Sequence, residues 1–262
     1  MKIASWNINS VRARLDNLIA WMQETDPDVV LLQETKCLAE QFPREPLENL
    51  GYTVVVKGQK SYNGVAILSK LTVEDVRTSL PGDENDVEAR YLEAVVGGNT
   101  RVASLYVPNG QEVGAEKYFY KLRFFERLSA HFKDVLSYKE SFVVGGDYNV
   151  APTDYDVYDP ILFKNRLSVT PQERAGFHSL LNLGFQDAIR VLYPEDKADN
   201  TALYTWWDYR QAGFSKNHGL RIDHLLLSPQ AGGRLFEAGI DRFVRAQVKP
   251  SDHAPVWCVL KQ

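Results

Sequence analysis

The first 34 residues restrict the fold more than any other stretch. "KIASWNI" (2–8) reads as a strand. "VRARLDNLIAWMQE" (11–24) places Leu15, Leu18, Ile19 and Met22 at helical spacing, and Pro27 ends the helix. "DVVLLQE" (28–34) is then a second, apolar strand. Strand, helix and strand make a βαβ unit, and its right-handed crossover sets the two strands parallel, with their ends pointing the same way.

The remainder is not a simple repeat of that unit. Residues 52–106 hold four strand candidates, "YTVVV", "GVAILS", "YLEAVV" and "RVASLYV", without a convincing helix, and "GGNT" between the last two signals a hairpin turn. A helix is expected over about 115–137 and a strand over 141–147. "TPQE" then starts a helix: Thr170 caps it, Pro171 suits the first helical position and Glu173 completes a capping box, with Gly184 closing it. "IDHLLLS" and "HAPVWCVL" are the last clear strands, with a weaker one near "AGIDRFV". Mixed connections of this kind predict an α/β fold of two sheets flanked by helices rather than an all-parallel sheet. No low-complexity linker interrupts the 262 residues, so one domain over 1–262 is expected.

Apolar residues form 44% of the chain, enough for a full core. No run reaches the roughly 18 apolar residues of a membrane span. "MKIASWNINS" has no long apolar segment, so no signal peptide is expected. Cys37 and Cys258 are far apart and lack a CxxC partner, which argues against zinc or a disulfide framework and suits a reducing cytoplasm. The formal charge of −4 mildly disfavours a nucleic-acid binder, but Arg12 with Arg14, Lys57 with Lys60, Lys117 to Arg127 and Lys216 to Arg221 are local basic clusters. Each cluster taken singly reads as a solvated face.

The polar residues that stand out fall at strand ends. In "SFVVGGDYNV" an apolar strand runs into Gly145 and Gly146, which allow something to approach the backbone closely, and then into Asp147 and Asn149, two positions apart and so on one face of an extended chain. Asn7 and Glu34 end the first two strands, Asp223 opens "IDHLLLS", and Asp252 with His253 opens the last strand. Alone, Glu34 reads equally as a surface residue and His253 as a structural histidine. Together the seven are expected to converge on one edge. Carboxylates and amides suit a hard divalent cation such as Mg²⁺, whereas zinc would want more histidine or cysteine. An Asp–His pair also suits hydrolysis, with the carboxylate setting the imidazole tautomer. GxSxG, a P-loop and a strand-linked GxGxxG are all missing from the sequence, which disfavours serine hydrolases, NTPases and Rossmann enzymes.

"SWNINSVRA", "LLQETK", "LYVPNG", "GGDYNVAP", "GLRIDHLLLS" and "SDHAPV", in this order from about residue 2 to 260, together resemble the exonuclease III family of abasic-site endonucleases within the endonuclease/exonuclease/phosphatase superfamily. The resemblance implies a four-layer α/β sandwich of two facing mixed sheets. It implies Mg²⁺, with Mn²⁺ as an alternative, held by Glu34 with Asn7 beside it, and Asp252 near the metal as an indirect or second-metal ligand. Asp147 would activate or orient the attacking water, and Asn149 would help hold water and phosphate. Asp223 would pair with His253, whose imidazole binds the scissile phosphate, and Tyr106 would hydrogen-bond that phosphate with Asn109 close by.

The same resemblance makes Trp206 and Leu220 apolar walls of a pocket for a flipped-out, baseless sugar; of the two adjacent tryptophans, Trp207 itself reads as core. Arg12, Tyr62, Asn63 and the segment from Lys216 would contact the DNA backbone. Asn9 stands where some relatives carry an acid. The implied activity is hydrolysis 5′ to abasic sites, with 3′ repair and 3′→5′ exonuclease activity. The implied partner is double-stranded DNA with abasic sites or blocked 3′ ends, and the expected protein is a cytoplasmic monomer, nucleoid-associated when bound. A phosphoesterase of the same superfamily acting on small or lipid-headgroup phosphates is the alternative. A silent DNA-binding scaffold fits poorly with all seven polar residues being present.

Overall fold

The computed structural model describes residues 1–261. The opening βαβ unit forms as its pattern requires: β1 (Lys2–Asn7), α1 (Leu15–Thr25) and β2 (Val29–Gln33), with β1 and β2 parallel from Ile3 opposite Val29 to Asn7 opposite Gln33. The helix starts later than expected, because residues 11–14 form a turn that buries Val11. It stops at Asp26, whose left-handed backbone (φ 48°) precedes Pro27. Next come α2 (Arg44–Glu48), β3 (Thr53–Lys57), β4 (Val65–Ser69) and β5 (Val73–Arg77). The sequence reading had no counterpart of β5, since "VEDVR" is a mostly exposed edge strand without the apolar run of a buried one.

β6 (Tyr91–Val96) and β7 (Thr100–Tyr106) are joined by a three-residue turn in which Gly97 and Gly98 both take positive φ (59° and 73°). Then follow α3 (Glu116–Ser137), β8 (Ser141–Asp147), α4 (Pro160–Phe163) and α5 (Pro171–Asn182). The expected capping box is present, with Thr170 accepting from the Glu173 amide and Glu173 accepting from the Thr170 amide. β9 (Gln186–Asp187), α6 (Ala188–Leu192), β10 (Trp206–Trp207), β11 (Gly219–Leu220), β12 (Asp223–Leu227), α7 (Pro229–Gly232), β13 (Leu235–Ile240) and β14 (Val256–Leu260) complete the chain. The weak strand expected near 238–244 lies earlier: β13 ends at Ile240, and Arg242–Ala246 is a 3₁₀ turn.

Two six-stranded mixed sheets result, ordered β13-β14-β1-β2-β4-β3 and β5-β6-β7-β8-β12-β9. Ile3, Leu31, Ile67, Val102, Val143 and Leu225 fill the space between them. α1 covers the outer face of the first sheet through Leu18, Trp21 and Met22. α3 and α5 cover the second through Phe124, Phe125, Phe132 and Phe177. This is the four-layer sandwich. The glycine pair in β8 has a packing role here. A Cβ on Gly145 would lie 2.7 Å from Leu31 Cδ1, and one on Gly146 would lie 2.0 Å from the Leu105 carbonyl. What the glycines admit is the facing sheet and the neighbouring strand, not a ligand. β1 and β2 end beside each other, as do β7 and β8, and β12 runs antiparallel to β8 with Asp223 opposite Asp147. One edge of the sandwich therefore collects five strand ends.

Candidate active site

All seven polar residues reach that edge, although four arrive by a route the pattern did not predict. Glu34 lies one residue beyond β2 and Asn149 two beyond β8, each in the left-handed region (φ 51° and 52°). Asp147 and Asn149 therefore do not share a face by strand alternation. A backbone turn brings them together, fixed by the Asn149 amide donating to Asp147 Oδ1 at 2.8 Å. Asp252 and His253 likewise precede β14 in a turn instead of opening it. Ser251 anchors that turn: its Oγ donates to the Asn7 carbonyl at 2.7 Å and accepts from the His253 amide at 3.2 Å.

The side chains interlock. Asn7 Nδ2 donates to Glu34 Oε1 (2.8 Å) and to Asp147 Oδ2 (3.0 Å), joining the two sheets. The Asn7 side-chain oxygen Oδ1 accepts from the Asn9 backbone amide at 3.1 Å, so Asn7 turns its side-chain nitrogen towards the carboxylates, not the oxygen a metal would take. Asp223 Oδ2 lies 2.8 Å from His253 Nδ1, leaving Nε2 to face Asp147 Oδ2 at 3.8 Å. Asp252 accepts from Asn9 Nδ2 at 2.8 Å and from Trp206 Nε1 at 3.1 Å, one bond on each of its oxygens. Asn109 Nδ2 donates to Asn149 Oδ1 at 3.1 Å, and Asn149 Nδ2 donates to the Val107 carbonyl at 2.9 Å.

Electrostatics separate these groups. Burial raises the Asp147 carboxyl to about 7, with Asp223 and Glu34 adding to the shift and His253 opposing it. Burial alone would pull His253 down, but the Asp223 and Asp147 carboxylates outweigh it and raise the imidazole to about 10. Glu34 stays low despite burial, because the Lys36 ammonium, the Asn7 amide and His253 all favour its ionised form. Asp252 is also held low, with His253, Asn9 and Trp206 outweighing its burial. Burial, followed by the charges of Glu34 and Asp147, pushes the Tyr106 phenol well up, so it remains a donor. Sequence reasoning assigned no role to Lys36. Its ammonium lies 2.7 Å from Glu34 Oε2 and 2.6 Å from Asn9 Oδ1, and its signal was a cation two residues after the carboxylate in "QETK".

These groups floor a cleft of about 370 Å³ whose apolar wall comprises Trp206, Leu220, Ile222, Phe163 and Leu167. Trp206 is half-buried and pairs with Leu220 across the β10–β11 ribbon, and Trp207 is fully buried. Phe163, Leu167 and Ile222 carried no polar or motif signal. Of the residues expected to meet the DNA backbone, Arg12 and Lys216 are exposed, as is Tyr62 at 71%. Asn63 departs from its expected backbone-contact role. It is 6% exposed, its amide donates to Gln59 and Glu88, and its carbonyl accepts from the Lys36 amide, so it braces the Glu34 turn from inside. Two members of the basic clusters are not on solvated faces either. Lys121 and Arg221 are buried, the first paired with Glu173, the second with Asp156 and Asp187.

Glu34, Asp147 and His253 each offer a ligand atom within 4.8 Å of the others. Two carboxylates and one imidazole, with amides beside them and no thiolate, suit a hard divalent ion. Fold and site together define a metal-dependent phosphoesterase of the two-sheet sandwich type. Residues 4–253 match the Endonuclease/Exonuclease/phosphatase family, and the chain belongs to it and, within it, to the exodeoxyribonuclease III group. It is 37% identical to exodeoxyribonuclease III of Haemophilus influenzae, an alignment covering 100% of both chains. Among solved structures it is similar to the 3′-5′ exonuclease NExo of Neisseria meningitidis (38% identity, TM-score 0.95, 100% of both chains). It is also similar to an AP endonuclease from Archaeoglobus fulgidus (36% identity, TM-score 0.94, 100% of both chains). The protein is a DNA repair nuclease.

Proposed function

We propose that residues 1–262 act as one domain that hydrolyses the phosphodiester 5′ to abasic sites in double-stranded DNA, using Mg²⁺ or, in its place, Mn²⁺. Removal of blocking groups from 3′ ends and 3′→5′ exonuclease activity would use the same site. The observation that carries this reading is the juxtaposition of a two-carboxylate, one-imidazole cluster with an apolar wall in one cleft. The first half suits phosphodiester hydrolysis. The second accepts a deoxyribose without its base better than it accepts a charged headgroup.

Glu34 would hold the ion, which when bound would polarise a phosphoryl oxygen and offset charge on the leaving oxygen. The remaining chemistry belongs to the side chains. Asp147, whose carboxyl sits near neutrality, is suited to orient the water and take its proton, with Asn149 beside it. His253, kept cationic by Asp223, points Nε2–H into the cleft, where it would bind a non-bridging phosphate oxygen. The Tyr106 phenol adds a further donor, and Asn109 steadies Asn149. Trp206 and Leu220 would flank the baseless sugar. Arg12, Tyr62 and Lys216 would meet phosphates along the duplex without reading sequence. Buried, unpaired Cys37 and Cys258 fit a reducing compartment, and we infer a cytoplasmic monomer that joins the nucleoid through DNA.

The test is incubation with a duplex carrying one abasic analogue, with Mg²⁺ or with EDTA. Cleavage 5′ to the analogue only with Mg²⁺ is expected. Hydrolysis of small phosphoesters with an intact duplex would overturn the reading.

A further inference from the structure

Behind the cleft, on its protein side, the ammonium of Lys121 sits between α3 and α5 with no exposure of its side chain. It donates to the Asn149 carbonyl at 2.8 Å, to the Asn109 carbonyl at 3.3 Å and to Glu173 Oε1. An ammonium has three N–H groups, and all three are used. Glu173 is equally buried, and it spends its remaining capacity on a third loop: Oε1 accepts from the Ser168 amide at 3.0 Å, and Oε2 from the Thr170 amide at 3.1 Å and hydroxyl at 2.7 Å.

One ion pair thus ties together three loops that line the cleft. They are the loop of Asn109, the loop of Asp147 and Asn149, and the loop of Leu167 and Ser168. On the cleft side Asn109 and Asn149 are bonded to each other. On the core side their carbonyls share one cation. Asn149 is held there in a left-handed conformation (φ 52°) that the turn after β8 requires.

Stability alone does not account for such a pair. Burying two charges costs several kcal/mol per ion, and apolar replacements of similar volume are often neutral or stabilising. What an apolar pair does not supply is a donor aimed at two carbonyls on the cleft's own loops. We propose, resting on the nuclease reading, that Lys121 is a positioning residue: through the backbones of Asn109 and Asn149 it sets where their side chains meet the water and phosphate, while Glu173 keeps it charged and binds the third loop. Its reach to the chemistry is indirect, through two peptide groups.

The test compares Lys121→Met, which strands the Glu173 charge, with Lys121→Met/Glu173→Gln, which keeps the capping acceptor and removes both charges. The double variant is expected to melt within a few degrees of the wild type. Its kcat on the abasic duplex should fall by about 30- to 100-fold, the order that misplacement of about 1 Å produces, with KM changed by less than about threefold. The side-chain amide NMR signals of Asn109 and Asn149 should shift or broaden. A folded double variant with wild-type kcat and wild-type signals overturns the proposal, and so does a double variant that does not fold, since the pair would then serve stability. The NMR arm separates this from the nuclease reading: loosened amides in a protein that cuts no DNA would refute the activity and leave the positioning intact.

Discussion

Asp223 Oδ2 lies 2.8 Å from His253 Nδ1, and both side chains are almost fully buried at the floor of the cleft. Asp223 is itself placed by Thr205, whose hydroxyl accepts from the Ile222 and Asp223 amides at 3.1 Å each. The carboxylate leaves the imidazole one orientation and, with Asp147, keeps it charged. His253→Ala should lower kcat by about 100- to 1,000-fold, the range for removing one donor to developing charge. Asp223→Ala should do nearly the same, and the double variant should be little worse than His253→Ala, because a unit fails together. Losses that multiply would show that the two act separately.

Glu34 is the only one of the three clustered ligand residues that reaches past the buried floor. Glu34→Ala should raise the Mg²⁺ concentration needed for half-maximal cleavage and slow the saturated rate by about 100-fold or more, since Lewis-acid stabilisation supplies several kcal/mol. Titrating Mg²⁺ against cleavage, with melting temperature as control, checks this. A wild-type titration curve would remove Glu34 from the metal site.

Trp206→Ala should reduce incision at abasic sites by about tenfold to a hundredfold while leaving affinity for undamaged duplex nearly unchanged, by analogy with aromatic stacking of about 1–3 kcal/mol. Phosphate contacts act on any duplex and weaken with salt, whereas the wall acts only on an extruded sugar. The Trp206 indole also holds Asp252, so Trp206→Phe separates the two roles: it keeps the wall and loses the bond. Equal losses of stability, duplex affinity and incision in Trp206→Ala would make this residue core.

Beneath "GLRIDH", buried Arg221 bonds Asp156 and Asp187 at 2.6 Å each. Burial would raise both carboxyls, but Arg221 outweighs it and both are held below the ordinary carboxylate range. A depressed carboxyl stabilises the fold above its unfolded pKa of about 4, and that stability is lost as pH falls through the folded value. Arg221→Met should cost about 3–5 kcal/mol by removing the cation that two buried carboxylates share, leaving Asp156 to Arg190 and Asp187 to His224, and should move the acid-unfolding midpoint to higher pH. Circular dichroism from pH 7 to 2 reads both. An unchanged acid midpoint would mean that Arg190 and His224 hold the two aspartates without Arg221.

Local pattern carried much of this protein. Helical spacing from Leu15 to Met22, the short apolar run of β2, the "GGNT" turn and the "TPQE" capping box all depend on residues within a few positions of one another, and each formed where the pattern lay. Polar side chains at the ends of apolar strands were enough to mark the cleft proposed as the site, because a charge there must be solvated, paired or used. Tertiary structure decided what depends on distant partners. The Asn7–Asp147 bond joins residues 140 apart in the chain. Asn63 and Arg221 looked like surface groups until the fold supplied Glu88, Asp156 and Asp187, and the two β8 glycines looked like a ligand approach until the second sheet closed on them. The sequence determined which side chains stand at the strand ends. Whether such a side chain faces solvent, a partner or the cleft was decided only when the two sheets packed, because burial and pairing energies are set by neighbours that chain order does not reveal.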